Sequence, residues 1–235
     1  SATTPQQKVS QVTVFGKYAV EIVLVGDIFD DEYNEAQQAC KTNGMTFIHP
    51  FDDEKIIAGN GTIAMEILQG MEGSVDYILT PVGGGGLAAG ISRYVKTVSP
   101  ATQVIGVEPS GAASMQYAIA AGERKPLETI EKFVDGAAVK QVGELTLQIC
   151  QDGLDQILAV PEGKVCTMIL ELYNHSAIIA EPAGALSVAA LEQLREEIRG
   201  KKVVCLISGG NNDVDRMQEI KERSLIYEGL KHYFT

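Results

Sequence analysis

The segment VDYILTPVGGGGLAAGISRYV constrains the fold of this chain more than any other. An apolar, β-branched run ends at Val82, four consecutive glycines follow at Gly83, Gly84, Gly85 and Gly86, and a helical pattern opens at Leu87. A strand that turns directly into a helix is half of a βαβ unit, so a parallel sheet is expected. Four adjacent residues without Cβ let backbone N–H groups crowd around one anion, and the helix N-terminus adds about half a positive charge pointing the same way. A phosphate suits such a cradle. It is not a P-loop, because no Lys-Ser or Lys-Thr follows the glycines, and the pattern alone does not place the acidic ribose ligand of a dinucleotide fingerprint. A glycine turn without a ligand is the weaker reading, because four glycines cost about a few kcal/mol of chain entropy and would bring nothing in return.

The same alternation runs nearly from end to end. Strands are expected at Val20–Val25, Thr46–Ile48, Tyr77–Pro81, Gln103–Val107, Gln156–Val160 and Lys202–Ile207, mostly apolar throughout, as strands buried on both faces should be. Helical patterns lie at Asp31–Thr42, Thr62–Gln69, Leu87–Val98, Ala112–Ala121, Glu144–Gln151, Lys164–Tyr173, Ala183–Ile198 and Val214–Tyr227. Ser99 with Pro100 should close the helix begun at Leu87, and Gly200 after Arg199 should supply a left-handed turn. The fold class expected is therefore α/β, a mostly parallel open sheet with helices on both faces. A composition shift near 47–53 marks an expected boundary, with residues 1–50 as the remnant of a small domain and 51–235 as a large ligand-binding domain.

A second glycine-rich strand end, VVCLISGGNND, places Ser208, Gly209, Gly210 and Asn211 after Ile207. In open parallel sheets ligands sit outside the carboxyl ends of the strands, so two such loops can face one ligand, with Ser208 offering a hydroxyl to a ring nitrogen. Read plainly, Ser-Gly-Gly-Asn is ordinary turn chemistry. The formal net charge of −12 argues against nucleic-acid or polybasic membrane partners, which both need clustered cations, and favours a small-molecule ligand. At 235 residues and 45% hydrophobic positions a core forms without staples. The four cysteines, Cys40, Cys150, Cys166 and Cys205, lie apart in apolar stretches and read as reduced, buried thiols. With no signal-peptide pattern in SATTPQQKVSQ and no apolar run of about 18 residues, a soluble, cytoplasmic protein is expected.

The ordered set PVGGGGLAAGI, IGVEPSGA, FVDGAAVK, IIAEPAGALSVAAL and ISGGN resembles the pyridoxal-phosphate enzymes of the tryptophan-synthase-β fold, fold-type II. TPQQKV, EIVLVGDIFDDEYNEA, FIHPFDDEKIIAGNGTIAMEIL and ERSLIYEGLKHYF are similar to the short-form biosynthetic threonine dehydratases, so the resemblance covers essentially the whole chain. It implies pyridoxal 5'-phosphate as cofactor, with Gly83, Gly84, Gly85, Gly86 and the N–H of Leu87 around its phosphate. It further implies Ser208 at the pyridine nitrogen, Gly136 along the reactive face and Glu181 near the ring. Glu181 also reads as a plain helix-start carboxylate favoured by the dipole. The activity implied is a lyase reaction of isoleucine biosynthesis, the dehydration and deamination of L-threonine, and of L-serine, to 2-oxobutanoate or pyruvate and ammonia. A homo-oligomer, dimer or tetramer, is implied with it.

The pattern is also broken. The Schiff-base lysine of the family stands in a Ser-x-Lys-x-Arg-Gly segment, followed by an asparagine loop for the substrate carboxylate, and neither is in these 235 residues. Lys8, Lys17, Lys55 and Lys140 stand in PQQKV, FGKYA, DDEKI and AAVKQ, so the catalytic lysine is not assigned, and the chain alone is expected to be inactive unless an N-terminal segment complements it. Exposed apolar faces are expected as a result. Of the cation site known in related racemases, Glu108 and Ala112 match, but Ser114 replaces an aspartate, so no metal is expected beyond a weakly held monovalent ion. His49 is expected to be structural, His175 and His232 to lie at the surface, and Asp27, Asp30, Asp31 and Glu32 to form a solvated helix start. The competing readings are a serine racemase or serine dehydratase, disfavoured by Ser114 and the GLKHYF ending, and a non-catalytic module binding a phosphorylated ligand.

Overall fold

Four of the β-branched runs pair into one sheet. In the computed structural model, which describes residues 4–26 and 29–234 and of residues 29–31 the backbone alone, the strands are β1 (Tyr77–Pro81), β2 (Gln103–Pro109), β3 (Gln156–Val160) and β4 (Val203–Cys205). Their order is β3-β2-β1-β4 and every pair is parallel, with Tyr77 opposite Gln103 and Val203. The helices are α1 (Gln6–Gly16), α2 (Phe29–Asn43), α3 (Glu54–Gly70), α4 (Gly86–Val98), α5 (Ser114–Ala121), α6 (Glu144–Gly153), α7 (Glu162–Ser176), α8 (Pro182–Ala189) and α9 (Met217–Tyr227).

Strand pleating divides the core. Ile78 and Val104 face Ala64 of α3 and Ile91 and Val95 of α4. Their neighbours Tyr77, Leu79, Ile105 and Val107 point the other way, onto Val165 and Ile169 of α7 and Ala185 and Leu186 of α8. A third cluster, Val82, Ala88, Met115, Leu147 and Cys150, fills the space beyond the end of β1 and seats α4, α5 and α6 there. Each fully buried aliphatic side chain contributes roughly 1.5–3 kcal/mol, so the sheet's C-terminal edge rests on a packed floor.

The expected parallel α/β architecture with both faces covered is the one found, with four strands where six were expected. Val20–Val25 and Thr46–Ile48 are not strands. Both lie without regular structure, and Val20, Ile22, Val23, Leu24 and Ile48 are exposed. A β-branched run becomes a strand only where another strand meets its N–H and C=O groups, and among the described residues no strand pairs with either. The pattern at Ala183–Ile198 is helical only to Ala189; a 3-10 turn and a succession of turns follow, ending in Gly200 at φ 73°. Helix α1 was not expected, and it has no buried residue. Val14, Phe15 and Tyr18, in and just after it, are open to solvent, as is much of the apolar surface up to Ile48. Asp30 and Asp31 fall in the first turn of α2, while Asp27 lies outside the described residues.

Helices α3 and α4 cross on bare backbone. A Cβ at Gly90 would stand 2.4 Å from the carbonyl oxygen of Ile57 and 2.7 Å from the nitrogen of Gly61. Gly90→Ala must push α3 away, at a cost of about 2 kcal/mol, which for a chain of this size lowers Tm by roughly 4–8 °C. Gly59→Ala, on the same helix with nothing within 4 Å, should leave Tm unchanged or slightly raised. Calorimetry of the two variants checks the contrast.

Candidate functional site

The site grows from the end of β1. Gly85 adopts φ 96° and ψ −6° as the N-cap of α4, a left-handed conformation that strains any residue bearing a Cβ. Its neighbours approach too closely for a side chain as well: a Cβ at Gly84 would lie 2.4 Å from the Phe51 ring, and one at Gly86 2.9 Å from the Phe51 Cβ. The loop's carbonyls are turned away from the opening. The Thr146 hydroxyl donates to the Gly84 carbonyl at 2.7 Å, and Ala89 N–H donates to the Gly85 carbonyl at 2.8 Å. The N–H groups of Gly83 to Leu87 have no backbone acceptor among the described residues. Five donors at a helix N-terminus have the arrangement an anion cradle requires.

Thr146 is placed by a chain of caps. Asp52 accepts from Glu144 N–H at 2.9 Å and Thr146 N–H at 3.0 Å, closing the start of α6. His49 holds Asp52 in turn, since its Nδ1 accepts from Phe51 N–H at 3.2 Å and Asp52 N–H at 2.8 Å. Burial lowers the His49 pKa, with Asp52 opposing, which suits an acceptor nitrogen. His49 is therefore structural, as expected, His175 pairs with Glu171 on the surface of α7, and His232 is exposed.

A cavity of about 470 Å³ opens above the cradle. It brings together all the residues singled out in the sequence: Gly83 to Gly86 and Leu87 on one side, Gly136 on the loop before α6, Glu181 at the start of α8 and Ser208 after β4. The helix-start reading of Glu181 is half right. It is the N-cap residue of α8, but its side chain makes no cap hydrogen bond and instead faces Lys8 at 3.6 Å. Burial raises its pKa, the largest effect, while Lys8 pulls it down. Of the lysines, Lys8 and Lys132 line the cavity, whereas Lys17, Lys55 and Lys140 do not. Lys8, Phe51, Asn60, Lys132, Asp135 and Thr146 had no local sequence signal as site residues, because each reaches the loop through tertiary packing.

Two thiols, Cys150 and Cys166, are buried, and burial pushes both to about 12, which keeps them as inert thiols. Cys40 and Cys205 are half-buried, not buried as expected. Glu108, the matching residue of the cation pattern, is fully buried and accepts from Met115 N–H at 2.7 Å and Gln116 N–H at 2.8 Å, capping α5. Ser114 is equally buried, and its hydroxyl has no partner among the described residues.

A parallel α/β sheet whose strand ends bring backbone N–H donors, a carboxylate and a hydroxyl around one cavity has the geometry of a site for a small anionic ligand. The family model of pyridoxal-phosphate dependent enzymes matches residues 1–209, and the chain belongs to that family. It is similar to the L-threonine dehydratase biosynthetic IlvA of Halalkalibacterium halodurans, 58% identical over 232 residues, which are 99% of this chain and 56% of the relative. The chain thus spans little more than half of that relative's length. Among solved structures it is similar to the processed form of threonine deaminase isoform 2 from Solanum lycopersicum, with TM-score 0.86, 35% identity, and 95% of this chain and 64% of the other covered. Serine racemase from Dictyostelium discoideum matches with TM-score 0.77 and 29% identity over 91% of this chain and 67% of the other. The unpaired N–H groups fit the phosphate of pyridoxal phosphate, and the cavity is of the size that encloses a small cofactor.

Glu108 generates a pH prediction. Burial raises its pKa to about 8, against the pull of its two N–H donors. A carboxyl whose folded pKa exceeds its unfolded value stabilises the fold fully below about 4.5, and that stabilisation is lost as pH rises to about 8. Denaturant melts from pH 5 to 9 should show stability falling by about a few kcal/mol across that window, and Glu108→Gln should flatten the slope.

Proposed function

We propose that the complete protein eliminates water and ammonia from L-threonine, and from L-serine, giving 2-oxobutanoate or pyruvate as a step of isoleucine biosynthesis. The observation that carries this reading is the convergence of the Gly83–Gly86 cradle, Gly136, Glu181 and Ser208 on one cavity, in a chain with threonine dehydratase relatives. Bound pyridoxal phosphate supplies the electron sink for the reaction.

The chain's own residues hold and tune that sink. The N–H groups of Gly83 to Leu87 take the phosphate. Ser208 is assigned to the pyridine nitrogen, where a neutral hydroxyl leaves the ring unprotonated and favours elimination over transamination. Gly136 would line the reactive face of the cofactor, and Glu181 would lie near its ring. The reacting lysine and the grip on the substrate carboxylate are assigned to none of the residues of this sequence. In this reading residues 1–50 belong to the small domain and 51–235 to the large one, and the protein works in the cytoplasm as a homo-oligomer. No helix among the described residues is long and apolar enough to cross a membrane.

Fluorescence titration with pyridoxal phosphate should give saturable binding that inorganic phosphate competes away. Gly85→Ala should weaken it about 10-fold, the equivalent of forcing a Cβ into the left-handed region. The chain alone should release no 2-oxo acid from L-threonine, and should do so when joined behind the residues of the H. halodurans relative that precede its matched region. Binding indifferent to phosphate would sink the reading, and D-serine from L-serine in the joined protein would favour the racemase instead.

A further inference from the structure

Helix α1 contributes little to the core, yet it is fastened to the cavity at three points. Asp213, five residues beyond Ser208, accepts from Gln6 N–H at 2.8 Å and Gln7 N–H at 2.9 Å and so caps the helix from across the chain. Pro5 is buried beside that cap. One turn on, Lys8 Nζ lies 3.3 Å from Asp135 Oδ2 and 3.6 Å from Glu181 Oε2. Asp135 is itself anchored by Arg216 Nη1 at 2.8 Å, and Arg216 also donates to the Phe133 carbonyl.

Glu181 is confined in this arrangement. A Cβ at Gly209 would stand 2.3 Å from its Oε1 and one at Gly136 3.4 Å away, so two glycine loops leave the carboxylate one place to go. Among the described residues Lys8 is the cation within ion-pair distance of it. Its side chain retains 14% exposure, so the pair is screened far less than a surface contact. The charged groups facing it are Lys8 from α1, Asp135 from the loop before Gly136, and Arg216 from the turn before α9. Burial and Asp135 favour the neutral acid, and Lys8 and Arg216 favour the carboxylate.

We propose that Lys8 is a positioning residue whose ammonium, clamped between Asp135 and Glu181, couples the docking of α1 to the charge of the Glu181 carboxyl on the cavity wall. Lys8 then acts through Glu181 and not as the amine that reacts with the cofactor. The consequence for cofactor binding rests on the pyridoxal-phosphate reading of this cavity, but the clamp does not.

The test is a pH titration of glutamate side-chain carboxyls by carbon-13 NMR on the full chain, with Glu181 assigned by its loss in Glu181→Gln. In Lys8→Met the Glu181 midpoint should rise by about one pH unit, and in Lys8→Arg it should return to its original place. Asp135→Asn removes the competing carboxylate and should move the midpoint the opposite way, downward, which general damage to the fold would not do. The pH profile of pyridoxal-phosphate affinity should move with the carboxyl in each variant. An unchanged Glu181 midpoint in Lys8→Met and Asp135→Asn overturns the clamp and leaves Lys8 as a tether. Absence of any cofactor binding by the parent chain overturns the functional reading instead, and the carboxyl titration still decides the clamp.

Discussion

The carbonyl of Gly84 points away from the cavity because the Thr146 hydroxyl holds it at 2.7 Å, and the cradle depends on that hydrogen bond. In a planar trans peptide the C=O of one residue and the N–H of the next point in opposite directions. Tying back the Gly84 oxygen therefore aims the Gly85 N–H at the opening, and tying the Gly85 oxygen to Ala89 N–H does the same for Gly86. Thr146 in turn depends on the Asp52 cap of α6. A loop that looks like free glycine is in this way oriented by buried partners on two helices.

The strands legible in the sequence were those whose reasons are local. Tyr77–Pro81 and Gln156–Val160 match the expected limits because each apolar run has a neighbouring strand to pair with, Tyr77–Pro81 fully buried in the sheet and Gln156–Val160 half-buried at its edge. Val20–Val25 has the same composition, but pairing is a property of the partner, which no local pattern reports. The reverse holds for α1, whose residues carry weak apolar periodicity; what holds its start is Asp213, some two hundred positions away.

The site divides along the same line. Glycines, Gly136, Glu181 and Ser208 were legible because backbone chemistry and ordered motifs mark them in one dimension. Thr146, Asp135 and Lys8 were not, since their roles exist only as contacts: Thr146 is 62 positions from Gly84 and Lys8 is 127 from Asp135. Lys8 in PQQKV lacks the sequence context of a reacting lysine, and nothing in that string places it beside Glu181.

A chain with net charge −12 that holds a phosphate monoester faces repulsion at long range. At physiological ionic strength that field decays over about 8 Å, so what decides binding is the charge lining the cavity itself. Backbone N–H dipoles supply attraction that no change of pH removes, because they do not titrate. The opposite wall, with Glu181, Asp135, Lys8 and Arg216, is built from groups that do titrate and that restrain one another. The cavity therefore sets non-titrating backbone donors on one wall against a titratable charge cluster on the other, and α1 reaches only the second, through Lys8.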